Sequence, residues 1–204
     1  LACVLPEVQG TAIDVACGAQ PFRGLFQSSV HYVGVDTQDS GETFGRRHPD
    51  VRYYSGDTLP VESGTADFIL CTETLEHVLQ TSPFIEELWR CLKPGGELLI
   101  TVPFAARWHY APRDYWRFTP SALGHLLGRA GFTDVAVYAR GNSLTVACYK
   151  AMGCMLPLLL SQRRNPAANL AERALGALLS PLLLVCAAIA NIAVRIPGGS
   201  EDPL

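Results

Sequence analysis

The chain has 204 residues, 49% hydrophobic and 17% charged, so it can bury a sizeable core in one domain or in one domain with an appendage. Its net charge of −3 argues against nucleic-acid binding through a basic surface. The seven cysteines are scattered without a CxxC pair, which predicts neither a zinc site nor a disulfide framework. We therefore expect a protein of a reducing compartment that has no nucleic-acid partner and no metal.

Segments of strand length alternate with helical segments along the first part of the chain. Strands are predicted at residues 11–16, 31–36, 51–57, 66–71 and 97–102. The fourth, "ADFILC", is almost wholly apolar, which is typical of a strand buried on both faces. Helices are predicted at 74–79, 82–92 and 119–132. Ser82 is expected to cap the second helix, the "KPGG" turn to end it, and Gly131 to close the third.

Two further strand-like runs follow the third helix. "TDVAVYAR" and "SLTVACYK", joined by "GN", predict an antiparallel hairpin. With the five earlier strands this gives an α/β fold, a Rossmann-like, doubly wound, seven-stranded and mostly parallel sheet that ends in the hairpin. An apolar helical tail follows. We expect one domain over residues 1–150 and a C-terminal extension over 151–204.

Acidic residues and a glycine follow the first three predicted strands. In open parallel sheets, ligands bind at the carboxyl ends of the strands. Gly18 follows the first strand, Asp36 ends the second, and Asp57 ends the third. A carboxylate at the position of Asp36 can accept two hydrogen bonds from a ribose diol. Since neither GxGxxG nor GxxxxGK[ST] occurs, the pattern favours a nucleoside without phosphates, S-adenosylmethionine rather than NAD.

Five stretches, "AIDVACG", "YVGVD", "SGDTLPVESGTADFILCTETLEHV", "LWRCLKPGGELLITVPF" and "AGFTDVAV", stand in a familiar order and spacing. Over roughly residues 10–150 the sequence resembles the class I S-adenosylmethionine-dependent methyltransferases of the type-11 group. The loop "PFAARWHYAPRDYWRFTPSAL" resembles a subgroup often found beside bacterial glycan-assembly genes. The chain departs from the family at Gln20, where a second glycine is common.

The resemblance implies S-adenosylmethionine as cofactor and assigns residues to it. Asp14 and Gly18 would line the methionine portion, Asp36 would hold the ribose hydroxyls, and Asp57 would accept from the adenine amino group. The alternative for Asp14 is a structural acid satisfied by backbone amides, and for Asp36 and Asp57 it is ordinary turn chemistry. The full set of expected cofactor-binding residues is Asp14, Ala16, Gly18, Asp36, Thr37, Asp57, Thr58, Thr72 and His77.

The loop at residues 103–120 is rich in aromatic, basic and acidic side chains and predicts a lid over the acceptor. His109 is the best candidate for a general base, because its unperturbed pKa lies near neutrality, and Asp114 is the next. In the alternative interpretation the rings pack on the sheet edge and the arginines pair with acids. The substrate-binding candidates are Tyr110, Arg113, Tyr115, Trp116 and Arg117, as stacking platforms or as ligands for an acidic group.

The predicted activity is methyl transfer to a hydroxyl of a saccharide, a lipid-linked glycan or another small metabolite. A hydroxyl is favoured because a histidine and an aspartate share the lid, although N- and C-methylation stay open. A NAD-type oxidoreductase and a non-catalytic, membrane-associated assembly protein are the competing hypotheses.

The tail contains "ALGALLSPLLLVCAAIANIAV", 21 residues without a charge at 174–194, which matches the length of a membrane span. Three interpretations stay open: a helical hairpin packed on the domain or in a homodimer interface, an element lying in a bilayer surface, or a single span. We expect the protein in the cytoplasm, with the inner face of the membrane as its second location, because the first residues lack a basic-then-apolar secretory pattern.

Overall fold

The structure is a computed structural model that describes residues 1–43, 47–109, 112–160 and 165–193. The chain divides into two compact units, Leu1–Ala136 and Val137–Leu204. The strands are β1 (Thr11–Val15), β2 (His31–Thr37), β3 (Val51–Tyr54), β4 (Ala66–Thr72) and β5 (Leu92–Thr101). The helices are α1 (Gln38–Thr43), α2 (Thr81–Cys91), α3 (Pro120–Ala130), α4 (Ser143–Leu159) and α5 (Pro166–Ala193). Short 3₁₀ turns lie at Leu5–Glu7, Arg23–Leu25 and Leu75–His77.

The first unit is built on a parallel sheet with the strand order β3-β2-β1-β4-β5. The order reverses at β1, which pairs with β2 on one side and with β4 on the other. Strand reversal in a parallel sheet opens a crevice outside the carboxyl ends of the strands. The residues that follow β1, β2 and β4 therefore surround one crevice.

Apolar residues cover both faces of the central strands. One cluster joins Ile13 and Ile69 of the sheet with Leu88 of α2, and a second joins Leu5 with Phe68 on the other side. Burial of both faces explains why β4 has four consecutive apolar residues, Phe68 to Cys71, and why β1 is apolar at Ala12, Ile13 and Val15, rather than alternating with polar residues. The five predicted parallel strands are confirmed, and so is the helix that Gly131 closes with φ of +108°.

The prediction of seven strands with a terminal antiparallel hairpin is wrong. Within the described ranges the sheet has five strands, all parallel, and residues 143–150 begin α4 instead. The Asn142 side chain accepts a hydrogen bond from the Thr145 amide at 3.0 Å and caps the helix. The short alternation in "SLTVACYK" continues into an apolar run that reaches Leu159, and this length favours a helix over a strand.

Three local predictions around α2 are also wrong. The "KPGG" segment does not form a turn between helix and strand, because α2 ends at Cys91 and residues 93–96 already belong to β5. Ser82 lies inside the helix, whose N-cap is Gln80 and has no capping side-chain hydrogen bond. The predicted helix at 74–79 is reduced to the 3₁₀ turn Leu75–His77. This turn directly follows β4 and its crevice, so its side chains lie beside the ligand space.

The second unit is an antiparallel pair of helices. Cys148 and Met155 of α4 pack against Cys186 of α5, and the Asn142 side-chain amide donates to the Ala193 carbonyl at 3.1 Å. A β-carbon on Gly176 would collide with the backbone of α4, so the glycine permits the close approach. In the part of the chain that the structure describes, Ala167–Ala193 is the one helix that could cross a membrane by length and composition, with a mean hydropathy of 2.2.

Candidate active site

A cleft of about 890 Å³ lies at the carboxyl ends of the strands. This is the size of a site for a small ligand or cofactor. A second hollow, of about 590 Å³, lies at the opposite end of the sheet beside Lys93 and contains none of the predicted site residues. The predicted residues that line the main cleft are Asp14, Ala16, Gly18, Asp36, Thr37, Asp57, Thr72, His77, His109 and Arg113.

The Asp36 carboxylate is fixed at the end of β2 by two backbone amides. One oxygen accepts from the Gly18 amide at 2.8 Å and the other from the Thr37 amide at 2.7 Å. Asp36 is buried, so both bonds are shielded from water. A β-carbon on Gly18 would meet nothing within 4 Å, which leaves the backbone of this turn accessible to a ligand. The Asp36 carboxylate, which is predicted to bind the ribose, is thus held in a fixed orientation beside a turn whose backbone a ligand can reach.

Gln20, where the chain departs from the family pattern, has φ of +58°. This left-handed conformation favours glycine because a β-carbon crowds the following carbonyl. The turn therefore keeps the backbone shape that a glycine would give, with a glutamine in its place. The Gln20 side-chain oxygen accepts from Arg23 at 3.0 Å.

Asp14, near the end of β1, is a buried acid with one unsatisfied oxygen. The Tyr32 hydroxyl donates to Oδ2 at 2.6 Å, and Oδ1 has no hydrogen-bond partner among the described residues. Burial raises the pKa of Asp14 to about 6, against the lowering effect of the Tyr32 bond. A positively charged or hydrogen-bonding ligand group would satisfy Oδ1 and favour the ionised form.

Sequence reasoning missed the rings that line the cleft, Phe22, Tyr54 and Phe84. Tyr54 is the last residue of β3, and its place at the carboxyl end of a parallel strand could have identified it as a residue of the cleft. Asp57 lines the same space and is exposed, whereas Thr58 is not among the lining residues.

The segment 112–118 of the predicted lid is hydrogen-bonded to the turn after β4. The Tyr115 amide donates to the Glu76 carbonyl at 2.8 Å, and the Trp116 indole donates to the Val78 carbonyl at 3.0 Å. Both aromatic residues lie outside the set that lines the cleft. Tyr110 falls outside the described residues.

Asp114 forms a bidentate pair with Arg117, with N–O distances of 2.6 and 2.8 Å. The guanidinium holds the pKa of Asp114 well below its ordinary value, so this carboxylate is poorly suited to accept a proton. Asp114 instead holds His109, accepting from its backbone amide at 2.9 Å and lying 3.2 Å from its Nδ1. Arg113 lines the cleft and pairs with Asp39 of α1 at 2.8 Å.

Glu76 is the most unusual residue of the site, and sequence reasoning assigned it no role. It is fully buried, and neither carboxylate oxygen has a hydrogen-bond partner in the described part of the chain. Its Oε1 lies 3.5 Å from His77 Nε2 and 4.0 Å from His109 Nε2. Burial raises the pKa of Glu76. The sequence signal that could have identified Glu76 is its position next to His77 in the turn that follows β4, a strand that ends at the crevice.

The parallel sheet, the switch-point cleft and its acids without a phosphate loop identify a class I S-adenosylmethionine-dependent methyltransferase, and the predicted class is confirmed. Residues 4–137, more than half of the chain, match the family described as methyltransferase domain, and the chain belongs to this family.

Relatives of known sequence and structure agree with this assignment. A methyltransferase of Mycolicibacterium gilvum is 37% identical over 99 residues, which are 45% of this chain and 38% of that protein. A methyltransferase of Synechocystis is 30% identical over 152 residues, which are 64% of this chain and 71% of that protein. Phosphoethanolamine N-methyltransferase 2 of Haemonchus contortus shares the fold, with a TM-score of 0.53 at 16% identity over 89% of this chain and 46% of that one.

Proposed function

We propose that this chain transfers a methyl group from S-adenosylmethionine to a hydroxyl of a small acceptor, such as a saccharide or a lipid-linked glycan. The observation that carries the proposal is the pair of buried carboxylates, Asp14 and Asp36, at the switch-point cleft. When bound, S-adenosylmethionine supplies an electrophilic methyl carbon whose bond to sulfur breaks as the acceptor atom bonds to it.

The residues of the cleft fit this cofactor. Asp36 accepts from the ribose hydroxyls, because its carboxylate is already oriented by the Gly18 and Thr37 amides. Asp14 faces the positively charged methionine portion with its unsatisfied Oδ1. Asp57 accepts from the adenine amino group at the exposed end. The resemblance also assigns contacts to Ala16, Thr72 and His77, which line the cleft, and to Thr58, which is not among the lining residues.

The acceptor binds at the end of the cleft that His109 and Arg113 line. His109 Nδ1 lies 2.9 Å from the Arg107 carbonyl, which accepts a hydrogen bond from the protonated Nδ1, so the neutral ring has its lone pair on Nε2. This lone pair can act on a hydroxyl in two ways, by accepting its proton or by holding a cation to which the hydroxyl binds. Asp114 serves as the group that positions His109, and Arg113 provides a cation for an acidic group on the acceptor.

Calorimetry tests the cofactor, and radiolabelled methyl transfer tests the acceptor. We expect S-adenosylhomocysteine to bind at one site per chain and NAD not to bind, because the cleft offers no cradle for a pyrophosphate. A hydroxyl-bearing saccharide is expected to accept label, whereas phosphoethanolamine, the substrate in the name of a Triticum aestivum relative 27% identical over 147 residues, is not. Binding of NAD alone would contradict the proposal. Tight binding of S-adenosylhomocysteine without transfer of the labelled methyl group to any acceptor would favour the non-catalytic hypothesis.

We also propose that the helical pair of the second unit lies in a membrane surface on the cytoplasmic side. Only 6% of the most apolar window of α5 is buried within the protein. A helix that is apolar around its circumference and not buried by protein is typical of a lipid environment. The exposed apolar residues of α5 include Leu170, Leu175, Leu178, Leu182, Leu184, Val185, Ile189 and Ile192.

Flotation with vesicles of phosphatidylcholine and phosphatidylglycerol tests this location. The double variant Leu178→Glu/Leu184→Glu should bind vesicles at least about tenfold more weakly, because two exposed leucines leave the lipid. Tyr138→Glu, at an exposed aromatic outside the helices, is the matched control and should bind as the wild type does. If instead the double variant changes a dimer to a monomer in lipid-free sedimentation, the face is an interface between copies and the membrane proposal is wrong.

A further inference from the structure

We propose that Glu76, His77 and His109 form a binding site for a divalent transition-metal ion of the zinc class at the acceptor end of the cleft. The metal site itself depends only on these three side chains, whereas its use by an acceptor hydroxyl rests on the proposed function. The two histidines line the cleft and the glutamate lies directly behind them.

The spacing of the ligand atoms suits one ion. One carboxylate oxygen and the two imidazole nitrogens all lie within 4.8 Å of one another. Zinc binds such atoms at about 2.0–2.2 Å, so tetrahedral ligands lie roughly 3.4 Å apart. The observed distances from Glu76 Oε1, 3.5 Å to His77 Nε2 and 4.0 Å to His109 Nε2, need only a small contraction.

The other ring nitrogens fix both histidines for ligation. His77 Nδ1 lies 2.5 Å from the Arg113 carbonyl, and His109 Nδ1 lies 2.9 Å from the Arg107 carbonyl. A carbonyl can only accept, so each Nδ1 carries the proton and each Nε2 directs a lone pair toward Glu76. Metal-binding histidines usually have this arrangement, with the second nitrogen donating to a carbonyl or carboxylate.

Without a cation the cluster is electrostatically unfavourable. Two lone pairs face a fully buried carboxylate whose oxygens have no hydrogen-bond partner within the described ranges. Buried polar groups of this kind are normally satisfied, and a buried charge is normally paired or bound to a metal. Arg117 does not provide the compensating charge, because its guanidinium is bidentate on Asp114. One divalent ion would satisfy all three ligands at once.

Three protein ligands leave a fourth position for the acceptor, as in catalytic zinc sites. The opening faces the cleft, since both histidines line it. A hydroxyl oxygen bound there would have its pKa lowered by the ion, and its proton would pass to solvent water, which reaches the 43% exposed side chain of His109. The site would therefore select acceptors that present a hydroxyl group.

Titration of the purified full chain with Co²⁺, read by its visible absorption, tests the site. We expect one Co²⁺ per chain in a tetrahedral nitrogen and oxygen environment, displaced by Zn²⁺. Glu76→Gln, His77→Ala and His109→Ala should each weaken binding by more than about 100-fold, because each removes a ligand, while Asp114→Asn should weaken it by about 10- to 100-fold. His125→Ala, at an exposed histidine of α3, is the matched control and should bind as the wild type does.

The far-UV circular dichroism and thermal unfolding of each variant report whether it is folded, and binding of S-adenosylhomocysteine by the wild-type chain, measured by calorimetry, separates the two proposals. A wild-type chain that binds S-adenosylhomocysteine but no Co²⁺ would overturn the metal site and leave the methyltransferase proposal standing. Co²⁺ binding that Glu76→Gln leaves unchanged, or a thiolate-to-cobalt absorption, would place the ion elsewhere and also overturn it. Co²⁺ binding without any nucleoside binding would support the metal site and contradict the proposed cofactor.

Discussion

Asp14→Asn is expected to raise the free energy of unfolding at pH 7 by about 3 kcal/mol and, at the same time, to weaken binding of S-adenosylhomocysteine. Burial raises the pKa of Asp14 to about 6, about two units above its value in an unfolded chain. Ionised Asp14 is therefore a cost to the folded protein, about 1.4 kcal/mol for each unit. Asparagine keeps an acceptor for the Tyr32 hydroxyl and removes the charge.

The sign of the pH dependence follows from proton counting. Between about pH 4 and pH 6 the folded protein holds more protons at Asp14 than the unfolded chain does, so this group lowers stability as the pH rises. The Asp14→Asn variant has no titrating group at this position, so its stability does not fall in this pH range for this reason. The difference in unfolding free energy between variant and wild type should thus be largest above pH 6 and vanish below pH 4. Urea denaturation at a series of pH values measures it.

Asp50→Asn is the matched control, because Asp50 is an exposed carboxylate in a surface pair with Arg23. It should change the unfolding free energy by no more than about 0.5 kcal/mol at any pH. If Asp14→Asn proves less stable than the wild type at pH 7, the Asp14 carboxylate is favourably paired and its burial does not destabilise the folded protein. The opposite effects on stability and on binding are typical of a residue retained for its ligand.

The sheet could be predicted from sequence because its signals are local. "FILC" is a continuous apolar run and "AIDV" is apolar except for Asp14, a composition that is typical of strands buried on both faces of a sheet. Thr119 and Gly131 mark the ends of α3 through capping chemistry that is likewise local; the Thr119 side chain accepts from the Ala122 amide at 3.2 Å.

The hairpin could not be predicted correctly from the same kind of signal. "SLTVACYK" has the alternation and β-branched residues of a strand, but its continuation to Leu159 decides its structure. α4 packs on α5 through Cys148, Met155 and Cys186, and that pairing joins residues far apart in sequence. Tertiary packing therefore overrides a local preference of eight residues.

The acids of the cofactor cleft could be predicted from local sequence signals, whereas the cluster of Glu76, His77 and His109 could not. Asp14 and Asp36 lie near the carboxyl ends of the neighbouring parallel strands β1 and β2, so topology alone brings them to one edge of the sheet. Glu76 and His109 are 33 positions apart, and only the docking of the lid on the turn Leu75–His77 brings their side chains together. The seven cysteines form no CxxC motif, so the sequence predicts no metal site, whereas the candidate ligands Glu76, His77 and His109 come from two separate segments and form no motif of their own.

Asp36→Asn is expected to weaken binding of S-adenosylhomocysteine about 100-fold. Two charge-assisted hydrogen bonds to the ribose hydroxyls would be weakened or lost, at a cost of about 3 kcal/mol. The substitution is isosteric, so the shape of the cleft is retained. Calorimetry with wild type and variant gives the ratio of dissociation constants.

The same substitution also disturbs the hydrogen bonds that the Gly18 and Thr37 amides donate to the Asp36 carboxylate in the free protein. An analogue of S-adenosylhomocysteine that lacks both ribose hydroxyls separates the two effects in a double-mutant cycle. If Asp36 holds the hydroxyls, the analogue should bind the wild type weakly and lose little more, no more than about threefold, in Asp36→Asn. An equal 100-fold loss for both ligands would mean that Asp36 acts only on the turn. The ribose contact would then have to come from another residue, and the carboxylate after β2 would be structural.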